Sequence, residues 1–122
     1  MSYLANTKKN ILANKSFDYS IRIVNLYKFL VKKKEYVISK QLLRSGTAIG
    51  ALITEAQNAE SKKDFIHKLG ISQKECAETI YWLNVLLSTK YINKTEFESI
   101  LNDTEELLKM LRSSIMTAKR NL

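Results

Sequence analysis

The feature that most constrains the fold is a stretch of helical periodicity over residues 41–87. In its second half, apolar or small side chains recur every three or four residues for about six turns. They are Phe65, Leu69, Ser72, Cys76, Ile80, Leu83 and Leu87. The first half carries a narrower stripe of small residues that includes Gly46 and Gly50. Stripes of this kind are typical of helices packed in a bundle, so the stretch predicts a scaffold more clearly than a catalyst.

Four helices joined by short connections account for the rest of the chain. We predict a first helix over 17–34, N-capped by Ser16, and a second that Ser39 caps and that ends near Gln57. A third helix, opened by a capping box of Ser61 and Asp64, reaches about Ser88, and Asn93 and Glu96 cap a fourth in the same way. The chain has no proline and three glycines, and no alternation of apolar and polar residues indicates a strand. The prediction is an all-α four-helix bundle over 16–122, preceded by a basic N-terminal arm over 1–15.

The apolar residues of the first helix cover more of its surface than a small bundle can bury. One face carries Phe17, Ile21, Val24, Tyr27 and Val31, and Tyr19, Ile23, Leu26 and Leu30 widen it. A helix packed only within its own bundle needs a narrower stripe. The excess favours a second contact surface, which we expect to be another subunit. In the second helix, Gly46 and Gly50 each cost about 1 kcal/mol relative to alanine, so we expect a neighbouring helix to approach them closely.

The charge of the chain is unevenly distributed. The formal charge is +8, from 20 basic and 12 acidic residues. Residues 1–44 hold ten of the basic residues but only Asp18 and Glu35 among the acids, so the whole surplus lies there. This asymmetry fits a polyanionic partner, most simply a nucleic acid, although a solvated basic surface that maintains solubility also explains it.

The residues expected to contact phosphate belong to the arm and the first helix. They are Lys8, Lys9, Lys15, Arg22, Lys28, Lys32, Lys33 and Lys34. Phe29 stands among these charges and either stacks on a base or lies in a subunit contact. Because the sequence holds no base-reading motif, we expect recognition to be weakly sequence-specific and strongly salt-dependent.

A second group of polar residues is predicted to form an ion-pair network in the structure or at a subunit interface. It comprises Arg44, Glu55, Glu75, Glu78 and Trp82. Arg44 and Glu55 share a helix face but lie too far apart to touch, so each needs a partner elsewhere. A buried network of this kind specifies register and assembly more than it stabilises. The sequence leaves open whether it forms within one chain or between two.

The sequence offers no set of residues for catalysis, a metal or a cofactor. His67 is the sole histidine and falls on the helix face opposite the Phe65 stripe, whereas Cys76 occupies a core position. The glycines lie inside helices rather than in a phosphate-binding loop. We therefore predict that the protein is not an enzyme. A single cysteine, no signal peptide and no apolar membrane span predict a cytoplasmic location.

The chain resembles the 23S rRNA intervening-sequence proteins, four-helix-bundle proteins encoded within bacterial 23S rRNA genes. The similarity spans residues 17–111 and is sharpest in RSGTAIGALITEAQ and SKKDFIHKLGISQKECAETIYWL. Ala48 and Leu52 depart from the serine and asparagine common in the family, whereas Ala56 in place of a glycine is a variation that the family also shows. The resemblance implies a left-handed up-down-up-down antiparallel bundle assembled into a ring-like homopentamer. A similar fold in the accessory protein of diversity-generating retroelements makes an RNA-related role an expectation by analogy.

Two hypotheses about function follow. The first is a non-enzymatic oligomeric scaffold that binds nucleic acid, RNA in preference to DNA, through the basic face of the arm and first helix. The alternative is a protein-interaction platform whose basic face docks an acidic protein partner. Neither hypothesis requires a cofactor, a metal or a membrane, and the sequence identifies neither the cognate RNA nor the protein partner.

Overall fold

The computed structural model describes residues 11–122, and these form four α-helices and no strand. The helices are α1 (Ile11–Lys32), α2 (Ile38–Gln57), α3 (Lys62–Ser88) and α4 (Lys94–Arg120). Each helix packs against two others, α1 and α3 both contacting α2 and α4. All four contribute to one core of leucine and isoleucine side chains, which confirms the all-α four-helix prediction. None of the described helices is long and apolar enough to cross a membrane.

The first helix begins earlier than the sequence predicted. α1 starts at Ile11, so residues 11–15 of the predicted arm are helical. Ser16 is not an N-cap: it is buried inside α1, and its hydroxyl donates to the carbonyl of Ala13 at 2.9 Å. Ala13 is buried too, so packing extends the helix past the cap signal. Residues 1–10, which include Lys8 and Lys9, lie outside the described residues.

The wide apolar face of α1 divides into a buried and an exposed part. Tyr19, Ile23 and Leu30 enter the core. Phe17 and Ile21 are 46% and 48% exposed on the outer side of the helix. The bundle therefore buries only one part of the stripe and leaves the other part uncovered within the chain.

Glu35, rather than Ser39, caps α2. The Glu35 carboxylate accepts the backbone N–H groups of Val37 and Ile38 at 3.3 and 3.1 Å and that of Ser39 as well. The Ser39 hydroxyl instead donates to the carbonyl of Glu35 at 2.8 Å. The prediction for Ser39 was wrong because a carboxylate placed before the helix reaches several free N–H groups at once. Glu35 is almost fully buried by this arrangement.

The caps of α3 and α4 are confirmed. The Ser61 hydroxyl accepts the N–H of Asp64 at 3.1 Å, although the Asp64 carboxylate accepts from Glu60 rather than from Ser61. Asn93 and Glu96 form a reciprocal capping box, with bonds of 2.8 and 3.0 Å. Both signals act between residues three apart, so local spacing is sufficient to encode them.

The two glycines of α2 lie against α1, which confirms the close helix approach predicted from their low helix propensity. A β-carbon added at Gly46 would lie 2.8 Å from side-chain atoms of Ile23. One added at Gly50 would lie 3.0 Å from the Ser20 hydroxyl and 3.2 Å from the Ser16 carbonyl. The absence of side chains at these positions lets α1 and α2 approach closely.

Candidate nucleic-acid interface

The basic residues in the first part of α1 are paired with acids of α4. Lys15 forms an ion pair with Glu106. Arg22 donates to the Asp103 carboxylate at 2.7 Å and to the Ser99 hydroxyl at 2.6 Å. Exposed pairs of this kind add little stability. They do, however, partly neutralise two of the cations predicted to contact phosphate.

The basic residues at the other end of α1 have no such partners. Lys28, Lys32 and Lys34 are exposed, and none of their ammonium groups makes a hydrogen bond or ion pair with another of the residues 11–122. Their charges are available to a polyanion approaching from solvent. The structure thus separates the predicted phosphate contacts into a compensated group near α4 and a free group near the end of α1.

Lys33 joins the end of α1 to the connection between α3 and α4. Its ammonium group donates to the carbonyl of Tyr91 at 3.1 Å and lies 4.6 Å from the centre of the Phe29 ring. Phe29 is half-buried and packs against the core. The Phe29 ring therefore holds the Lys33 ammonium group by a cation–π contact. This is a structural role for Phe29, in addition to the predicted base stacking or subunit contact.

This contact brings Lys90 and Lys94 to the same end of the bundle as Lys34. Both are exposed, and Lys94 makes only a 3.8 Å contact with Glu98 on its own helix. Sequence reasoning missed both lysines because residues 45–122 carry no net charge. A local pattern does not reveal which two connections share an end of the molecule.

Two acidic residues at this end accept hydrogen bonds from backbone N–H groups. Burial raises the pKa of the Glu35 carboxyl, but the three backbone N–H groups that it accepts outweigh this and hold the pKa below its usual value. The Glu96 carboxylate takes part in the α4 capping box. These two carboxylates face helix N-termini, whereas Glu98 is exposed beside Lys94 and offsets part of its charge.

Four of the five residues assigned to the ion-pair network contact one another within the chain, on the surface between α2 and α3. Arg44 contacts Glu75 at 3.4 Å and also pairs with Glu78, whose carboxylate accepts the indole N–H of Trp82 at 3.1 Å. These bonds, from Trp82 first and then Arg44, lower the pKa of Glu78. Glu55 stands apart from this cluster and pairs with Lys68 at 3.0 Å.

The sequence predicted a buried network, but within the chain this cluster is partly exposed to solvent. The Arg44 side chain is 52% exposed, because long side chains at the α2–α3 seam reach past the core to solvent. Beside it Tyr81 lies edge-on to Trp82, with ring centres 4.9 Å apart, and is itself exposed. Such an exposed ion pair aligns α2 with α3 at a modest gain in stability.

Metal ligands and the cysteine thiol are the candidate chemical groups among residues 11–122. No three histidine, cysteine or acidic side chains there are grouped so as to hold a metal ion. Cys76 is buried in the core, and burial raises the pKa of its thiol to about 12, so the reactive thiolate is suppressed. A cavity of about 610 Å³ beside the α2–α3 connection is lined mainly by alanine, serine, threonine and Phe65. It presents no acid–base pair.

Comparison with known proteins identifies the family. Residues 8–113 match the family described as 23S rRNA-intervening sequence protein. A solved structure from Bacteroides thetaiotaomicron VPI-5482, described as a protein with unknown function from the S23 ribosomal protein family, is 55% identical with a TM-score of 0.85. The similarity covers 86% of this chain and 98% of that chain. No curated protein matches the chain significantly. The resemblance seen in the sequence is confirmed, and the chain belongs to the 23S rRNA-intervening sequence protein family.

Proposed function

We propose that the protein is a non-enzymatic, self-associating scaffold in the bacterial cytoplasm that binds nucleic acid through its N-terminal arm and first helix. The observation that carries the proposal is the set of exposed lysines Lys28, Lys32 and Lys34, which lack acidic partners among the described residues. Uncompensated lysines in and just beyond the last turns of a helix attract phosphates by releasing condensed counterions.

Structured RNA is the preferred ligand in this proposal. Support comes from the name of the family, which refers to an intervening sequence of 23S rRNA. Lysine binds phosphate as a point charge without reading bases. We therefore expect the protein to recognise the backbone and shape of an RNA and to depend little on its sequence.

The scaffold is proposed to be a ring-like homopentamer of up-down-up-down antiparallel bundles. Lys15 pairs with Glu106 and Arg22 pairs with Asp103. A later residue of α1 thus contacts an earlier residue of α4, which fits an antiparallel arrangement of the two helices. The exposed Phe17 and Ile21 supply an apolar surface for a neighbouring subunit. In a ring, several copies of the basic face bind one RNA together and raise its apparent affinity.

The test compares two charge-reversal variants in RNA binding. Lys28→Glu with Lys32→Glu reverses two free lysines of α1. Lys74→Glu with Lys109→Glu makes the same charge change at exposed positions of α3 and α4. With fluorescence anisotropy of a labelled RNA stem-loop at low salt, we expect the α1 variant to bind roughly tenfold more weakly or worse. The control variant should retain most of the affinity.

Equal decreases in affinity for the two variants would assign binding to net charge and contradict the proposed face. If the unmodified protein binds neither RNA nor duplex DNA at low salt, nucleic-acid binding is excluded. In that case, a partner that survives nuclease treatment in a pull-down would favour the protein-interaction platform. Circular dichroism of each variant verifies that the helices are intact.

A further inference from the structure

The two helix connections at the basic end are built in the same way. At the end of α1, Lys34 N–H donates to Val31 at 2.9 Å and Glu35 N–H donates to Leu30 at 3.0 Å. At the end of α3, Lys90 N–H donates to Leu87 at 3.0 Å and Tyr91 N–H donates to Leu86 at 2.9 Å. Both helices therefore end in the same hydrogen-bonded C-cap.

This cap requires a left-handed residue, and in both connections that residue is lysine. Lys34 has φ 66° and Lys90 has φ 67°, and no other residue in 11–122 has a positive φ. Glycine is the usual residue at this position because it lacks a β-carbon. Both lysines therefore place positive charge at the C-terminus of a helix, where the helix dipole favours it.

The hydrogen bond from Lys33 to the Tyr91 carbonyl joins the two connections at one end of the bundle. Lys34 and Lys90 are the immediate neighbours of these residues in the chain, so both lysines lie at this end of the bundle. Lys94 begins α4 beside them and is 83% exposed. The N-termini of α2 and α4 at this end are already occupied by Glu35 and Asn93, so lysine side chains supply the available positive charge.

We infer that the α1–α2 and α3–α4 connections form one phosphate-binding surface in which Lys90 and Lys94 act together with Lys34 on a nucleic-acid backbone. The inference rests on the proposed function and extends the binding face beyond the arm and the first helix. The helix caps hold the backbone of both connections, so binding there orders mainly the lysine side chains.

The experiment replaces Lys90 and Lys94, the two lysines that the proposed function does not include in the binding face. The variant is Lys90→Gly with Lys94→Gln, because glycine preserves the left-handed cap. Binding of a labelled RNA stem-loop is measured by anisotropy over a salt series. We expect roughly tenfold weaker binding at low salt and a salt slope less steep by about 0.7 to 0.9 for each phosphate that the variant no longer binds. The thermal midpoint should not fall.

The matched control is Lys74→Gln with Lys109→Gln, which removes the same charge from positions on α3 and α4 away from the two connections. It should bind within about twofold of the unmodified protein, since non-contacting charges act weakly at a distance. Equally weakened binding by control and variant would overturn the inference.

Unchanged RNA binding by the Lys90/Lys94 variant would also overturn the inference. The proposed function would still stand if the Lys28/Lys32 variant binds RNA weakly. Absence of RNA binding by the unmodified protein would overturn both. These outcomes distinguish failure of the inference from failure of the proposed function.

Discussion

Gly46 shows how a single residue sets the distance between two helices. It lies inside α2, where glycine is unfavourable, and faces Ile23 of α1 with no room for a β-carbon. Gly70 lies inside α3 with nothing within 4 Å of a β-carbon. The same substitution should therefore have opposite effects at the two positions.

Gly46→Ala is expected to destabilise the protein. A displaced Ile23 costs about 1–3 kcal/mol, and the gain in helix propensity offsets at most about 1 kcal/mol of this. Gly70→Ala is expected to stabilise by about 0.5–1 kcal/mol. The measurement is urea unfolding followed by circular dichroism. A stabilising Gly46→Ala variant would contradict the close packing of α1 on α2.

Glu35 contributes stability that depends on pH. Its pKa in the folded protein lies below the ordinary value of 4.5 because backbone N–H groups favour the carboxylate. A group of this kind stabilises the fold fully above its unfolded pKa, and the contribution disappears as the pH falls through the folded pKa.

Glu35→Gln should therefore destabilise the protein by about 0.5–2 kcal/mol at pH 7, the range for removal of a helix cap. The difference from the unmodified protein should shrink as the pH falls below about 4.5. Urea unfolding of both proteins at several pH values measures this difference in the free energy of unfolding. A difference that stays constant from neutral to acidic pH would show that the charge of Glu35 is irrelevant.

The elements differ in how far local sequence determines their ends. The starts of α3 and α4 could be predicted because Ser61 and Asn93 bond to residues three positions away. The start of α1 could not, because it depends on burial of Ala13 against the rest of the bundle. The cap of α2 was missed because the acceptor is Glu35, three residues before the helix, rather than an adjacent serine.

The candidate site was predictable to a similar extent. The sequence located the positive charge in the first third of the chain. It could not determine that Lys15 and Arg22 face acids of α4, or that Lys90 joins Lys34 at one end. Both facts depend on which elements become neighbours, and no local spacing contains that information.

In the helix connections, Lys34→Gly and Lys90→Gly should each raise stability by about 0.5–1 kcal/mol, because glycine adopts the left-handed conformation without steric cost. Lys28→Gly removes the same side chain inside α1 and should instead destabilise by about 1 kcal/mol. Thermal unfolding compares the three variants. Lower thermal midpoints for the two connection variants would contradict the left-handed caps.

For the molecule as a whole, the uncovered face of α1 predicts self-association. The unmodified protein should have close to five times the 14.1 kDa mass of one chain in light scattering coupled to size exclusion. Ile21→Glu places a charge on that face and should yield smaller, folded species, because burying an unpaired charge at an interface is unfavourable. Met116→Glu, at an exposed position of α4, is the control. A monomeric unmodified protein would contradict the ring.

Binding of the nucleic-acid backbone by the basic face is tested best by the salt dependence of RNA binding. The measurement is anisotropy of a labelled RNA stem-loop titrated with the unmodified protein at several salt concentrations, beside duplex DNA of matched length. We expect binding at low salt, tighter for RNA. We also expect log Kobs to fall linearly with log salt, with a slope of about −3 or steeper if four or more phosphates are contacted. No binding at low salt, or binding that is insensitive to salt, would contradict a phosphate-binding face.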